Sequence, residues 1–318
     1  MWTKTYGGEG KDNGWAVRKT DDGGFIVTGF TDSFGSGAMD IYLIRTDAEG
    51  NTLWTKTFGG AGDEFSWDIR KTADEGFIIA AQTNSSGNGE IDAYLIKLDA
   101  TGNAEWSKTY GGEQIDRIFS VRQTEDGGYV AVGITYSYGA GDRDVYLLKT
   151  DASGEMEWFK TFGGPAYDVG HSVALTDDGG YLITGYGESF ASNGKRDVVL
   201  IKTDAAGNTE WLNSYGGPEN ERAMKGQQTA DGGFIAIGFA QINRADQLDW
   251  DIYLIKTDRV GNLLWTKTFG DKDRNDFGYT VQELHSGGYI LTGHRQNFDG
   301  SESAVMLIKT DKEGSINP

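Results

Sequence analysis

The sequence predicts an all-β fold, a six-bladed β-propeller with four antiparallel strands per blade, on three observations. One element recurs six times at near-constant spacing, each interval holds four short strand patterns, and the chain opens with the strand that its last copy lacks. The element, W-x-K-T-(Y/F)-G-G, begins at Trp2, Trp54, Trp106, Trp158, a degenerate Trp211 (W-L-N-S-Y-G-G) and Trp265 (W-T-K-T-F-G-D), with spacings of 52, 52, 52, 53 and 54 residues. In the first copy the strands fall near Trp15 to Thr20, Gly24 to Thr31, Asp40 to Thr46 and Thr52 to Phe58. Each is short, alternating or β-branched, and bounded by Gly or Asp. Thr20 to Gly24 and Thr46 to Asn51 read as tight turns, in which Asp caps its own backbone and Gly takes a positive φ. The sixth copy ends at Leu307 to Gly314, and its register would place the next tryptophan where Pro318 stands. Trp2 to Gly8 is therefore expected to complete the last blade and clasp the ring shut, with residues 1–318 forming one propeller domain.

Composition agrees. Glycine is abundant (48 residues), proline scarce (3), and aromatics reach 12%, which suits many short strands, many turns and a ring-rich core. The glycines follow no three-residue period, so a collagen-like chain is excluded. A net charge of -19 argues against a nucleic-acid partner, since that binding rests on clustered Lys and Arg. The acids are spread over every repeat, as expected of a solvated surface, and a cationic, neutral or metal-bridged partner fits better. With no cysteine there is no disulfide framework, zinc-thiolate site or thiol nucleophile. No run approaches the length of a membrane span, and Met1 to Lys4 lacks the apolar core of a signal peptide. Met1 abuts a repeat element directly, as expected of an excised domain or a mature form given a new start.

The stretches Lys149 to Trp158 and Lys256 to Trp265, K-T-D-x-x-G-N-x-x-W in outline, resemble the tryptophan-docking repeat of quinoprotein-like propellers. The full copy, with W-x-K-T-Y-G-G and D-G-G-Y, is similar to the Gly- and Trp-rich propeller repeats of bacterial and archaeal secreted or cell-surface proteins. That resemblance covers essentially the whole chain and implies the fold and an extracellular or cell-surface setting. It implies no shared activity. Relatives that bind the quinone cofactor use larger propellers, and their cofactor contacts do not map onto residues here.

The recurring tryptophan reads as structure, a large ring docked on a neighbouring blade. Asp40, Asp92, Asp144, Asp197 and Asp251 occupy one station, replaced by Ala304 in the sixth copy. An acid repeated this way suits either hydrogen bonding at the start of a strand or a calcium ligand, but no EF-hand-like cluster accompanies it, and no cofactor is expected. On the first strand of each blade, Trp15, Trp67, Phe119, His171, Met224 and Tyr279 share one parity with the blade-packing residues Val17, Ile69, Val121, Val173, Gly226 and Val281. The other parity carries Arg18, Arg70 and Arg122, candidates for a channel that either binds an anion or pairs them with Asp68.

Function is expected where the copies differ, in the loops between second and third strands and before each first strand. The extra residues of the longer copies fall at Gly187 to Arg196 and Ala240 to Trp250. The candidate ligand-binding residues of this rim are Phe34, Tyr136, Tyr138, Arg143, Phe190, Arg196, Arg244, Asp249, Trp250, His294 and Arg295, with Phe298, Lys195 and Asp246 beside them. Exposed rings among polar groups suit sugar stacking or a protein anchor, and rings folded inward would instead pin the loops. His171, His285 and His294 belong to no metal or Ser-His-Asp spacing, and no G-x-S-x-G or phosphate-loop pattern occurs. The expected function is a non-catalytic recognition or scaffold module, monomeric, binding a glycan or a protein at a cell surface. The alternatives are a glycan-active enzyme using rim acids such as Asp246 and Asp249, and a purely structural spacer.

Overall fold

The computed structural model describes residues 2–191, 194–244 and 247–316, and among them there are twenty-three strands and no helix. The strands form the six blades of a β-propeller. Blade 1 is β1 (Asp12–Lys19), β2 (Phe25–Thr31), β3 (Asp40–Thr46) and β4 (Thr52–Phe58). Blade 2 is β5 (Glu64–Lys71), β6 (Phe77–Thr83), β7 (Asp92–Leu98) and β8 (Ala104–Tyr110). Blade 3 is β9 (Asp116–Gln123), β10 (Tyr129–Thr135), β11 (Asp144–Thr150) and β12 (Met156–Phe162). Blade 4 runs β13 (Asp168–Leu175), β14 (Tyr181–Gly187), β15 (Asp197–Thr203) and β16 (Thr209–Tyr215). Blade 5 runs β17 (Glu221–Gln228), β18 (Phe234–Arg244), β19 (Gln247–Thr257) and β20 (Leu263–Phe269). Blade 6 has β21 (Arg274–Glu283), β22 (Tyr289–Asn297) and β23 (Ser303–Thr310). Strands pair antiparallel in sequence order within each sheet.

The chain divides into two compact units, residues 1–139 with 145–161 and residues 140–144 with 162–318. Within each, one blade's apolar face packs on the next. In the first unit Ile26, Ile41 and Leu43 meet Ile69, Phe77 and Ile79. In the second, Ile235, Ile237 and Leu254 meet Val281, Tyr289 and Leu291. In blade 2, β7 gives Ala93 and Leu95 to the core shared with blade 3 and Ile96 and Leu98 to the core shared with blade 1, which is why six of its seven residues are buried.

The recurring tryptophans join blade to blade. Trp106 Nε1 donates to Ala152 O at 3.2 Å and Tyr110 Oη to Gly154 O at 2.7 Å, in the turn that ends the following blade's third strand. The ring of Trp54 lies over Gly102, whose φ of +78° suits glycine and whose missing Cβ leaves the ring its seat. Burying most of one such ring stabilises the pair of blades by roughly 2 kcal/mol. Beneath the turns sit buried lysines. Lys97 reaches Asp74 at 2.8 Å, Glu105 at 2.9 Å and Leu98 O at 2.9 Å, and Lys149 and Lys202 repeat the arrangement.

Three features depart from expectation. The sheet of blade 6 holds three strands, and Trp2 to Gly8 carries no strand. The other outer strands follow their partners through a tight T-D-x-x-G turn that sets register, whereas no short turn links Trp2 to β23, so the pairing lacks local closure. The segment does keep its docking role, for Trp2 Nε1 donates to Ala48 O at 3.1 Å and Tyr6 Oη to Gly50 O at 2.7 Å, as Trp106 and Tyr110 do on blade 3. On β23, Val305 and Leu307 are 87% and 69% exposed, where Ile41 and Leu43 are buried in blade 1. The second departure is at Ala240 to Trp250, expected to be a loop. It extends the β18–β19 hairpin instead, with Gln241 opposite Trp250 and Ile242 opposite Asp249. The third is a β-bulge in the first strands, which breaks the expected parity and is described below.

Candidate functional site

First strands of successive blades approach one another in each unit, β1 with β5 and β5 with β9, then β13 with β17 and β17 with β21, so they form an inner wall. Each bulge falls at the same residue. The register shifts between Gly14 and Ala16, Ser66 and Asp68, Gly170 and Ser172, Ala223 and Lys225, and Gly278 and Thr280. An inserted residue turns its side chain away from the blade-packing layer. Ile69, Val121 and Val173 stay in that layer, fully buried, while the bulged Trp15, Trp67 and Phe119 follow one another, tilted at 5.2 Å and edge to face at 5.6 Å. Trp15 is 52% exposed.

Three residues on from each of these rings, the channel arginines Arg18, Arg70 and Arg122 converge on Asp68. Arg18 Nη2 donates to Asp68 Oδ1 at 2.6 Å, and Arg70 Nε and Arg122 Nη1 donate to Oδ2 at 3.0 and 3.1 Å. Burial alone would raise the Asp68 pKa, but the charges of Arg70, Arg122 and Arg18 outweigh it and hold the carboxyl below its ordinary value.

In the second unit the inner wall carries a second cationic and aromatic patch. The Arg222 guanidinium lies over Tyr186, Trp250 and Phe239 at 5.1, 5.6 and 6.0 Å, and Phe277 follows Phe239 at 5.0 Å. His294 stacks on Phe277 and Tyr279 at 4.9 and 5.5 Å. Burial, reinforced by Arg222 and Arg143, lowers the His171 pKa to about 4, so this imidazole is neutral at physiological pH.

The rim candidates scatter. Tyr138 folds inward, donating to Gly111 O at 3.0 Å and lying 4.8 Å from Phe159. Phe34 leans on Tyr42 at 5.5 Å but stays about half exposed, as does Phe298. Arg143 covers Tyr167, and Arg196 donates to Glu188 at 2.8 Å. Tyr136 and Phe190 are half-buried, and Phe190 O accepts a hydrogen bond from Ser214. Arg244 pairs with Asp249 and Asp251, and Arg295 with Asp271 and Asp276. Asp249 is buried in that ion pair, which removes the solvent access a general acid or base needs, and Asp246 lies outside the described residues. The structure joins Arg196, Trp250 and His294 to one patch through Tyr186, Arg222 and Phe277, which sequence reasoning missed. Their contacts run between blades, and no local spacing signals them.

A groove of about 600 Å³ runs between blades 2 and 3, lined by Tyr94, Tyr138, Tyr146 and Phe159 together with Ser107 and Lys108. Its lining mixes aromatic rings with hydroxyl, amide and ammonium groups. The Lys108 ammonium pairs with Glu155 at 2.5 Å at its edge, and Met156 and Phe159 are partly exposed there.

Where one blade meets the next, two carboxylates face each other. A Cβ on Gly59 would overlap oxygens of both Asp40 and Glu64, and one on Gly216 oxygens of both Asp197 and Glu221. Asp40 Oδ2 accepts from Ser36 N and Gly37 N at 2.9 and 3.0 Å, tying the loop to the strand start. Its Oδ1, like Asp197 Oδ1 and Glu221 Oε2, is buried without a hydrogen-bond partner. At Asp251 and Asp276 the counterpart charge comes from Arg244 and Arg295. No group of three or more acidic, histidine or cysteine side chains is gathered as a metal cage among the described residues.

No family model matches the chain. Among solved structures it is similar to a PL25 ulvan lyase bound to -[GlcA(1-4)Rha3S]-, with a TM-score of 0.59 and 10% identity over 93% of this chain and 78% of that one. It is also similar to a puromycin hydrolase (TM-score 0.55, 14% identity, 96% of this chain, 46% of that one) and to Sqt1 from Chaetomium thermophilum (TM-score 0.51, 11% identity, 98% and 74%). At these identities the likeness shows the propeller fold alone, shared by glycan-active enzymes and other proteins. By sequence, the regulatory protein FlaEY of Caulobacter vibrioides is 22% identical over 179 residues, 49% of this chain. The match spans 18% of FlaEY.

Proposed function

We propose that this chain is a non-catalytic recognition propeller, its six blades acting as one module that binds carbohydrate at a cell surface. The observation that carries the reading is the groove between blades 2 and 3, where the partly exposed ring of Phe159 lies beside Tyr138 and Tyr146, with Tyr94 also lining the groove, among hydroxyl, amide and ammonium groups. Sugars present an apolar face bordered by hydroxyls, and an aromatic wall with polar groups at its margin complements both. The rim reading narrows accordingly, from scattered loop rings to a crevice where a loop tyrosine and an outer-strand phenylalanine meet. An enzymatic reading draws no support from Asp249, which is committed to Arg244.

A glycan-array screen of the protein and of Phe159→Ala tests this. The ring is 36% exposed, so the variant should keep its circular dichroism and melting profile while losing the bound glycan. An array blank for the parent, or a bound glycan indifferent to Phe159→Ala, would overturn carbohydrate binding in this groove and favour a protein partner.

A further inference from the structure

Three guanidiniums on the inner wall of the first unit share a single carboxylate, which leaves two positive charges in excess in a chain of net charge -19. Among the described residues, the ion pairs of Arg18, Arg70 and Arg122 all go to Asp68. Lys71, the next charged residue after Arg70, is itself paired with Asp21 and Glu75, and those two acids are exposed and committed to it. Several donors in the cluster are unused. Arg70 bonds through Nε alone, and Arg122 through Nη1 alone, to Asp68, Ser120 Oγ and Val121 O. Arg18 Nε is buried without an acceptor, and so is the indole Nε1 of Trp67, the residue before Asp68 on β5. Buried donors are almost always satisfied, so an orphaned pair beside unneutralised guanidiniums marks a place where an acceptor belongs. The arginine side chains are 28%, 23% and 18% exposed, sheltered yet reachable from solvent. Burial first, and then repulsion from Arg70, pulls the Arg122 pKa down to about 10 despite Asp68.

We infer that Arg18, Arg70 and Arg122 form a binding site for one oxyanion group, a carboxylate, sulfate or phosphate, seated against the Trp15–Trp67–Phe119 ladder. The planar guanidinium forks suit a flat or tetrahedral oxyanion, and the rings exclude water from one side of it. Asp68 holds the three arginines in position and also competes with the ligand for them. The site is separate from the carbohydrate groove, and either stands if the other fails.

The test is calorimetric titration at constant ionic strength, set with sodium chloride, using sodium sulfate, inorganic phosphate, methyl glucuronide and, as the uncharged control, methyl glucoside. The parent should bind the anions saturably and leave the glucoside unbound. Binding of the glucuronide alone identifies a sugar acid as the source of the oxyanion, and binding of sulfate and phosphate alone identifies a free anion. Arg70→Gln should weaken binding about tenfold, as expected for one charge-assisted contact, and Asp68→Asn should tighten it about tenfold by raising the excess charge. If Asp68→Asn is unfolded in chloride alone, refolding in sulfate but not in equivalent chloride is the supporting result. Absence of saturable binding by any of the three anions, or affinities unmoved by both substitutions, would overturn the proposal.

Discussion

Replacing Glu221 with Gln should stabilise the protein at alkaline pH and leave it unchanged in acid. Glu221 Oε2 and Asp197 Oδ1 are both buried and unpartnered, and a Cβ on Gly216 would overlap both. Burial, with Asp197 and Glu219 adding repulsion and the Gly217 amide and Lys195 opposing, pushes the Glu221 pKa from 4.5 up to about 7. Below pH 4.5 the carboxyl is protonated whether the chain is folded or not, and it contributes no pH dependence. Between pH 4.5 and 7 the unfolded chain has released its proton while the folded chain holds it, so stability falls as pH rises. Above pH 7 the loss is complete. At 1.36 kcal/mol per pH unit it comes to about 3 kcal/mol. Gln keeps the shape without the charge. Urea unfolding followed by tryptophan fluorescence at pH 4, 6 and 8 should therefore show a gap between variant and parent that opens from near zero to about 3 kcal/mol. A gap that is flat with pH, or a variant less stable than the parent at pH 8, would refute the reasoning.

Arg244→Ala should have the opposite pattern. It strips the buried Asp249 and Asp251 of their partner, costing about 3 kcal/mol at pH 8 and less in acid, where burial, which raises the Asp251 pKa, favours the neutral form of that acid, as pH-dependent melting would show. Gly102→Ala should cost about 3 kcal/mol, because it combines a positive φ with displacement of the Trp54 ring, and the fluorescence maximum should shift to the red. Lys149→Met should cost about 2 kcal/mol in urea unfolding. Asp126 and Glu157 can rehydrate at the surface, while the Thr150 carbonyl loses a buried donor.

The fold was legible because its determinants are local and repeated. Turn glycines, strand alternation and the tryptophan spacing each sit within one copy, and five of six blades place their strands as the alternation implies. The Ala240 to Trp250 stretch was misread because its polar residues look like a loop, although pairing continues through Asn243 and Leu248. The sites were less legible. Asp68 stands where the other first strands have Ala16, Ser120, Ser172, Lys225 and Thr280, a difference visible in the sequence, and the convergence of three arginines on it follows once neighbouring first strands are set side by side. The bulge at Trp67 has no equivalent signal, since the parity of the flanking residues conceals it. Phe159 was passed over because it sits on an outer strand beside a conspicuous tryptophan. Only its contact with Tyr138, on the β10–β11 loop of the same blade, at the groove shared with blade 2, gives it a role.

The docking tryptophans also bear on how the chain comes to be folded during synthesis. Trp54 rests on Gly102, Trp106 on Gly154 and Trp265 on Gly314, so each ring waits for a turn that leaves the ribosome nearly a whole repeat later. A newly made blade has its four strands before it has its seat, and its outer strand stays unprotected until the following blade's third strand and turn have emerged. Maturation should therefore advance in steps of one repeat, each step sealing the blade before it. A pause in translation just before Gly102, Gly154 or Gly314 would leave the preceding blade in its most vulnerable state.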